Sequence, residues 1–183
     1  DLKILNVDVL SNKLVTDNPV NRCYYCKQGV FGTILEAAKS DGMTVILDGT
    51  NASDDADDRP GMKALQEMKV LSPLRMCGYV KSEIRKQSKE AGLFVYNKPS
   101  YACLATRIPT GTEIDEEKIK QVETAETFLF DLGFSDFRVR WMDNKAKIQM
   151  PESQLQALME KREVVLEELS KIFDEVLLDL RTR

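Results

Sequence analysis

The pattern of apolar residues changes in the middle of the 183-residue chain, and this change constrains the fold more than any other feature. Before residue 98, short runs rich in Leu, Ile and Val alternate with segments of helical period. Such an alternation is typical of an α/β layer with parallel strands. The predicted strands are 2–10 and 43–47, and the predicted helices are 22–41, a short one from Pro60, and 81–91.

After a central loop, the order becomes helix, strand, strand, helix, strand, which predicts a small α+β lobe. Residues 115–132 place their apolar side chains on one helical face, and 137–141 alternate as a strand does. The segment 142–145 suits a hairpin connection to a partner strand at 146–150. A helix from Pro151 to about Ile172 and a strand at 175–180 are predicted to complete this lobe. The predicted domains are therefore 1–98 and 99–183.

Composition excludes several classes of protein. Hydrophobic residues make up 43% and charged residues 31%, which is typical of a globular chain. The net charge of −4 argues against a nucleic-acid partner, and the absence of a run of about 18 apolar residues argues against a membrane span. Four unevenly spaced cysteines favour a reducing cytoplasm over a secreted disulfide framework. Because the sequence has no histidine, its chemistry must use Cys, Asp, Glu, Lys, Arg or Tyr.

The central loop, Lys98–Thr112, follows neither a helical nor a strand period, and two prolines and a glycine shape its backbone. It carries one thiol, Cys103, with a hydroxyl at Thr106 and a guanidinium at Arg107. A nearby cation favours the reactive thiolate, so Cys103 is a candidate nucleophile. The alternative interpretation is that Cys103 is a small buried hydrophobe in a connection between lobes and that Arg107 is solvated.

Cys23 and Cys26 lie three residues apart at a predicted helix start, on one face of that helix. Such a pair is compatible with a redox couple, half of a zinc site, or part of an iron–sulfur site. Together with Cys103, the pair could hold a cluster with one open iron, since thiolates bind such clusters. Two cysteines that only pack in the helix are the structural alternative.

Two further patterns suit binding of an anionic ligand. Arg138 and Arg140 share one face of the predicted strand, and two guanidinium groups there could clamp a phosphate or a carboxylate. The alternative is a solvent-facing strand with ordinary charges. The segment Asp48–Asn51 directly follows a predicted strand, and ligands of α/β sheets bind at strand ends. The acidic segment 52–61 that comes next is, by itself, best interpreted as a solvated loop.

These motifs together resemble the LarE family, the ATP-dependent sulfur transferases that build the nickel-pincer nucleotide cofactor of lactate racemase. The resemblance runs from about Asn18 to the C-terminus. Seven motifs occur in the family's order: NRCYYCK at 21–27, DGTN at 48–51, DRPG at 58–61, SPL at 72–74, KSEIR at 81–85, KPSYACLATRIPTG at 98–111 and FRVR at 137–140.

The resemblance implies an α/β fold: a partial PP-loop ATP pyrophosphatase domain followed by a small α+β sulfur-transfer domain. It implies that a carboxylate of pyridinium-3,5-biscarboxylic acid mononucleotide becomes an acyl-adenylate, with ATP and Mg²⁺ as cofactors. Cys103 matches the sulfur-delivering residue, which would form a thioester and then be left as dehydroalanine. Homo-oligomers and a cytoplasmic location are also implied.

The same resemblance implies roles for other residues. The implied substrate-binding residues are Thr106, Arg107, Glu126, Arg138 and Arg140. The implied nucleotide-binding residues are Asp48, Gly49, Thr50, Asn51 and Arg59. In other members of the wider group a [4Fe–4S] cluster delivers the sulfur, and Cys23, Cys26 and Cys103 are the positions that would bind it here.

The sequence departs from the family pattern at several places. The Ser-Gly-Gly-x-Asp-Ser phosphate loop is absent and is expected upstream of Asp1. Met76 and Gln149 stand where the family commonly has acids, and Thr106 replaces a usual serine. Two alternative functions therefore stay open: a cluster-dependent sulfur transferase or tRNA thiolase of the PP-loop group, and a non-catalytic protein that only binds nucleotide.

Overall fold

The computed structural model describes residues 2–54 and 60–182. Contacts divide the chain into two compact units, Asp1–Lys98 and Pro99–Arg183. In the described part of the first unit the helices are α1 Lys13–Thr16, α2 Arg22–Ser40, α3 Pro60–Glu67, α4 Pro73–Met76 and α5 Lys81–Glu90. In the second unit they are α6 Glu116–Asp131, α7 Leu155–Glu160 and α8 Arg162–Leu169, and the strands are β1 Arg138–Met142, β2 Lys145–Gln149 and β3 Glu175–Leu178.

Helices α2, α3 and α5 of the first unit confirm the helices predicted from the sequence, whereas α1 and α4 were not predicted. Helix α2 packs against both α1 and α3. Gly42 ends the α2 segment with a positive φ of 75°, and Gly92 follows α5 with a φ of 71°. Glycine adopts this left-handed conformation without steric cost, which is why it stops both helices. Ala64 and Leu65 of α3 are buried in this helical layer.

The two strand predictions in the first unit are wrong. Residues 2–10 form no strand, and Leu2 and Ile4 are 89% and 80% exposed. Residues 43–47 form only an isolated parallel bridge between Leu47 and Leu71. A strand requires a neighbour that takes its backbone hydrogen bonds, and among the described residues these segments find almost none. The apolar pattern alone is therefore insufficient there.

In the second unit, the predicted helix and hairpin are confirmed. The Asp115 side chain caps α6 by accepting a hydrogen bond from the Lys118 amide at 2.7 Å, and Gly133 follows the helix with a φ of 93°. Asp143 and Asn144 connect β1 to β2 with φ values of 48° and 59°. Two consecutive positive φ angles match the type I′ turn that the twist of an antiparallel hairpin favours.

The sheet has the order β1-β2-β3, with β1 and β2 antiparallel and β2 and β3 parallel. Its register pairs Arg138 with Gln149 and Arg140 with Lys147. The strand predicted at 175–180 is shorter in the structure, at Glu175–Leu178. The mixture of helix and sheet agrees with the predicted α/β class, whereas its assignment to the PP-loop group stays a prediction.

The single helix predicted from 151 to about 172 is divided in the structure. A 3₁₀ turn at Glu152–Gln154 precedes α7, and Lys161 separates α7 from α8 with φ −99° and ψ 9°. The Lys161 side chain donates to the Leu132 carbonyl oxygen at 2.7 Å, which ties the break to the end of α6. The division lets both short helices present apolar side chains to one core.

This core is a cluster of twelve buried side chains in the second unit. They are Ala125, Leu129, Phe134, Phe137, Val139, Ala146, Ile148, Met150, Leu158, Val165, Leu169 and Phe173. The cluster packs α6, α7 and α8 on one face of the sheet, so the opposite face, with Arg140 and Lys147, is left for polar side chains. Among the described residues, no helix combines the length and apolar character that crossing a bilayer requires.

Candidate active site

Cys103 lies in a loop of the second unit, immediately before a single 3₁₀ turn at Leu104–Arg107. Its thiol is unpaired and exposed. The Cys103 carbonyl oxygen accepts hydrogen bonds from the Thr106 amide at 2.9 Å and from the Thr106 hydroxyl at 2.7 Å. The turn therefore fixes the backbone of Cys103 and leaves the thiol open to a reactant.

A buried ion pair lies beside this turn. The side chains of Arg107 and Glu126 have no exposed surface. Arg107 Nε donates to Glu126 Oε1 at 2.8 Å, and Nη2 donates to Oε2 at 2.9 Å. The third nitrogen, Nη1, donates to the Ala102 carbonyl oxygen at 3.1 Å and contacts that of Cys103 at 3.4 Å. Because a bidentate pair is strongly directional, Arg107 holds the chain on both sides of the Cα of Cys103.

Glu126 joins this cluster to the sheet. Its Oε1 atom accepts a hydrogen bond from the Val139 amide of edge strand β1 at 2.8 Å. The ring of Tyr101 lies over the Arg107 guanidinium at 5.2 Å. Burial, together with a hydrogen bond to the Glu126 carboxylate and its negative charge, raises the pKa of Tyr101 to about 12. Helix α6, strand β1 and the Cys103 loop therefore meet in one polar cluster.

Arg107 and Glu126 are predicted from the resemblance to bind substrate. In the structure, protein groups surround both side chains and no surface of either faces solvent. Their observed contacts support the Cys103 loop. Direct contact with a substrate stays a prediction for these two residues.

Arg138 and Arg140 both reach the Cys103 loop from β1. Arg138 is buried, and its Nη2 donates to the Ser100 carbonyl oxygen at 2.9 Å. Arg140 is half-buried, and its Nη1 donates to the Thr106 carbonyl oxygen at 2.9 Å. The strand thus brings two guanidinium groups to the segment that carries the thiol. Their binding of a substrate phosphate stays a prediction.

A pocket of about 280 Å³ opens beside the turn, with Thr106, Arg107, Thr110, Arg140 and Met142 in its wall. The Arg140 guanidinium and the Thr110 hydroxyl supply hydrogen-bond donors for an anionic group, and Met142 supplies apolar surface. The Thr106 hydroxyl already donates to the Cys103 carbonyl oxygen. A larger pocket of about 460 Å³ along α6 near Glu116 contains none of the predicted site residues. The smaller pocket is therefore the better candidate for substrate.

Gln149, a direct partner of Arg140, and Asp179, which Gln149 contacts in turn, are not among the site residues predicted from the sequence. Arg140 Nε donates to Gln149 Oε1, and Gln149 Nε2 donates to Asp179 Oδ2 at 2.7 Å. Lys147 Nζ lies 3.1 Å from the same Asp179 oxygen. Hydrogen bonds from Gln149, the Arg181 amide and Lys147 lower the pKa of Asp179 to about 2. In the structure the two-residue turn at Asp143 and Asn144 pairs Arg138 with Gln149, so the register of such a hairpin is the signal that could have found Gln149.

In the first unit, Asp48 is held by hydroxyl groups. The Thr50 hydroxyl donates to Asp48 Oδ2 and the Ser72 hydroxyl to Oδ1, each at 2.6 Å. Burial acts to raise the pKa of Asp48, but the hydrogen bonds from Ser72 and Thr50 outweigh it and hold the pKa below its usual range. Asp48 is therefore a charged group, stabilised by two loops of this unit.

Asn51 donates from Nδ2 to Asp54 Oδ2 at 3.0 Å. Apart from the chain neighbours of Gly49, no atom of the described residues lies within 4 Å of where a side chain at Gly49 would begin. The segment is thus ordered by its own side chains and has open space at its glycine. Nucleotide binding by Asp48, Gly49, Thr50 and Asn51 stays a prediction. Arg59, predicted for the same role, lies outside the described residues.

Cys23 and Cys26 lie near the start of α2, as predicted; Cys23 is exposed and Cys26 is half-buried. Within residues 2–54 and 60–182, no three Cys, Asp or Glu side chains are grouped closely enough to hold a metal ion. These two cysteines belong to the first unit and Cys103 to the second. The [4Fe–4S] cluster on all three cysteines stays a prediction.

Fold and site together define a class: a two-unit chain of mixed helix and sheet with an exposed thiol beside a cationic sheet face. No family model matches the chain. It is 33% identical over 149 residues to the pyridinium-3,5-bisthiocarboxylic acid mononucleotide synthase of Lactiplantibacillus plantarum. The matched region covers 81% of this chain and 54% of that protein. This similarity supports the resemblance to the LarE family.

Two uncharacterized proteins are also similar. The chain is 37% identical over 171 residues to slr1717 of Synechocystis sp., and the matched region covers 93% of the chain and 63% of that protein. It is 31% identical over 161 residues to MJ0830 of Methanocaldococcus jannaschii, which covers 88% and 63% respectively. The chain thus spans less than two thirds of the length of each of these three relatives.

Proposed function

We propose that this chain is part of a LarE-like sulfur transferase that acts on carboxylates of a pyridinium mononucleotide. The observation that carries the proposal is the exposed Cys103 thiol, presented on a turn that Thr106 and Arg107 hold and that Arg140 contacts. The similarity to a synthase whose product is a pyridinium bisthiocarboxylic acid mononucleotide supports the substrate class.

In this proposal, ATP with Mg²⁺ activates one carboxylate as an acyl-adenylate and releases pyrophosphate. The Cys103 thiolate attacks the acyl carbon, AMP leaves with the electron pair of the broken C–O bond, and a thioester forms. A base then removes the Cα proton of Cys103 and the Cβ–Sγ bond breaks. The product keeps the sulfur as a thiocarboxylate, and residue 103 becomes dehydroalanine. Cysteine suits the attack because it is the most nucleophilic side chain near neutral pH.

The remaining residues take supporting roles in the proposal. Arg138 and Arg140 bind the phosphate of the mononucleotide, since guanidinium groups bind phosphate in a bidentate way. Thr106 adds a hydroxyl in the same pocket. Arg107 and Glu126 act on the reaction by holding the loop. The segment Asp48–Asn51, with Arg59, contacts ATP, and the working protein is a homo-oligomer.

Intact-mass analysis of the full chain tests this function. One sample receives ATP, Mg²⁺ and pyridinium-3,5-biscarboxylic acid mononucleotide, and a second receives the chemically prepared acyl-adenylate of that compound. The second sample separates sulfur transfer from activation. We expect the Cys103 peptide to lose the mass of hydrogen sulfide while a thiocarboxylate appears in solution.

Cys103→Ser should abolish this loss, and Cys77→Ser is the matched control because Cys77 is also an exposed thiol. An unchanged Cys103 peptide with bound iron and repeated turnover would instead support the cluster-dependent route. If Cys103 is unchanged in both samples and no iron is bound, the result would contradict sulfur transfer and favour a protein that only binds nucleotide.

A further inference from the structure

We propose that Gln149 and Asp179 are positioning residues that aim the Arg140 guanidinium at an anionic group of the substrate. The inference rests on the proposed function, because it takes the Arg140 pocket to be the substrate site. It adds residues to which neither the similar proteins nor the family resemblance gives a role in this chain. It also specifies how they act, through a neutral amide that links an arginine to a carboxylate.

The first observation is a chain of hydrogen bonds that crosses the sheet. Arg140 Nε on β1 donates to Gln149 Oε1 on β2, and Gln149 Nε2 donates to Asp179 Oδ2 just after β3. Each end of the amide meets only one kind of partner, a donor at the oxygen and an acceptor at the nitrogen. The Gln149 side chain therefore has one preferred orientation, and Arg140 receives a fixed acceptor on its Nε side.

The second observation concerns charge. Gln149 is neutral, so Arg140 is oriented without being neutralised. Asp179 is the carboxylate at the end of these hydrogen bonds. It lies 3.1 Å from Lys147 Nζ, and its side chain is only 13% exposed. Among the described residues, the polar face of the sheet thus carries four cations, Arg138, Arg140, Lys145 and Lys147, and two carboxylates, Glu175 and Asp179. An excess of positive charge persists where the pocket opens, and it favours an anionic ligand.

The third observation is the free edge of Arg140. Its Nε and Nη1 atoms are engaged by Gln149 and by the Thr106 carbonyl oxygen. Across residues 2–54 and 60–182, Nη2 donates to no protein group, and Arg140 lines the pocket of about 280 Å³. Two contacts thus hold the guanidinium plane, and the remaining N–H groups are available to a ligand. Strong bidentate binding of phosphate or carboxylate requires such an arrangement.

The test compares two substitutions of Gln149 by titration calorimetry of the full chain with nicotinate mononucleotide, a pyridinium carboxylate mononucleotide. Gln149→Glu replaces the neutral acceptor with an anion that pairs with Arg140 and repels Asp179. We expect about tenfold weaker binding near pH 7, because the new carboxylate competes with the ligand for the guanidinium. Gln149→Met keeps the size and removes both hydrogen bonds, and it should weaken binding only about threefold.

The pH profile separates positioning from a general structural effect. The charged groups that face position 149 are Arg138 and Arg140 from β1, Lys147 from β2 and Asp179 after β3. As the pH falls and the introduced carboxylate gains a proton, the affinity of Gln149→Glu relative to wild type should recover. The Gln149→Met ratio should stay constant with pH. Asp179→Asn should weaken binding, whereas Glu175→Gln, which alters an exposed carboxylate paired with Lys145, should not.

Equal affinities for wild type and Gln149→Glu across the pH range would overturn the inference. Absence of measurable binding by the wild-type protein would overturn it as well. In either case the Cys103 mass experiment decides the proposed function separately, because it measures covalent change at the thiol. Recovery at low pH in Gln149→Glu alone would support the inference, since a loss of folding would not reverse in this way.

Discussion

The two units of the chain treat similar apolar sequences differently. In the second unit, β1 and β2 are joined by a two-residue turn, and their inner side chains are fully buried in one cluster. In the first unit, 2–10 and 43–47 are as apolar, yet Ile4 and Val45 are 80% and 58% exposed. The difference is the source of the partner: the turn supplies it locally in one case, and among the described residues almost none is present in the other. An apolar pattern becomes a strand only when a neighbour takes its backbone hydrogen bonds.

The units also differ in how they hold charge. In the second unit the Arg107–Glu126 pair is fully enclosed, and removal of either partner leaves a buried charge. In the first unit, Asp48 is held by two hydroxyl groups and stays partly exposed. We therefore expect the second unit to be far more sensitive to single substitutions than the described part of the first.

Glu126→Gln should produce the largest loss of stability, about 3–5 kcal/mol, because it leaves the Arg107 guanidinium buried and unpaired. Urea unfolding followed by fluorescence measures this loss, since the one tryptophan, Trp141, lies on β1. The matched control is Glu175→Gln, whose exposed pair with Lys145 should contribute about 1 kcal/mol or less. Equal losses for the two variants would remove the proposed contrast between enclosed and exposed pairs.

A pair of cavity-forming substitutions tests burial directly. Leu129→Ala, at a fully buried position of α6, should cost about 2–5 kcal/mol through lost packing. Leu47→Ala, at a position 59% exposed, should change the free energy of unfolding by about 0.5 kcal/mol or less. Circular dichroism detects unfolding of both units. A large loss for Leu47→Ala would show that 43–47 is buried in the folded protein, and the comparison between the units would fail.

The hairpin turn offers a smaller effect on the same strands. Asp143 has a φ of 48°, which a β-branched residue adopts only with strain. Asp143→Val should therefore destabilise the second unit by about 1–2 kcal/mol. Asp143→Gly is the control and should be neutral or slightly stabilising, because glycine adopts this conformation freely. Equal unfolding midpoints for Val and Gly would show that the turn does not define the β1–β2 register.

Acid titration should reveal the smallest effect, at Asp179. Its pKa of about 2 lies below the ordinary value of 3.8, so the folded state favours the charged carboxylate. The resulting stabilisation is present above about pH 3.8 and disappears as the pH falls through about 2. Wild type should therefore lose more of its urea midpoint over this interval than Asp179→Asn does. Parallel curves for the two proteins would contradict the contacts from Gln149 and Lys147.

Local sequence determined much of what could be predicted. The helices α2, α5 and α6 follow from the period of their apolar residues and from the glycine just after each C-terminal end, and the hairpin follows from alternation around Asp143 and Asn144. Pairings between distant residues could not be found in this way. Nothing in the sequence near Arg107 indicates that Glu126, on another element, encloses it. The contact between Asp179 and Gln149 likewise depends on the parallel placement of β3, which no local pattern encodes.

For the candidate site, too, local patterns could be predicted from the sequence and contacts between distant residues could not. Alternation correctly placed Arg138 and Arg140 on one face, and the composition of the central loop correctly placed a thiol in a shaped turn. Exposure, which decides between ligand binding and support, required the fold. Arg107 and Arg140 have the same chemistry in the sequence and both contribute to the wall of one pocket, yet the Arg107 side chain has no exposed surface whereas Arg140 is only half-buried.

The hydrogen bond from the Val139 amide to Glu126 has a consequence for assembly. A sheet edge with unpaired amides can form hydrogen bonds with a strand from another molecule, and this is a common route to aggregation. On β1, a side chain of the same molecule occupies this place in the ladder at Val139. Another strand could pair there only by displacing a carboxylate that also neutralises Arg107. The ion pair that supports the Cys103 loop thus also protects this edge of the sheet against growth.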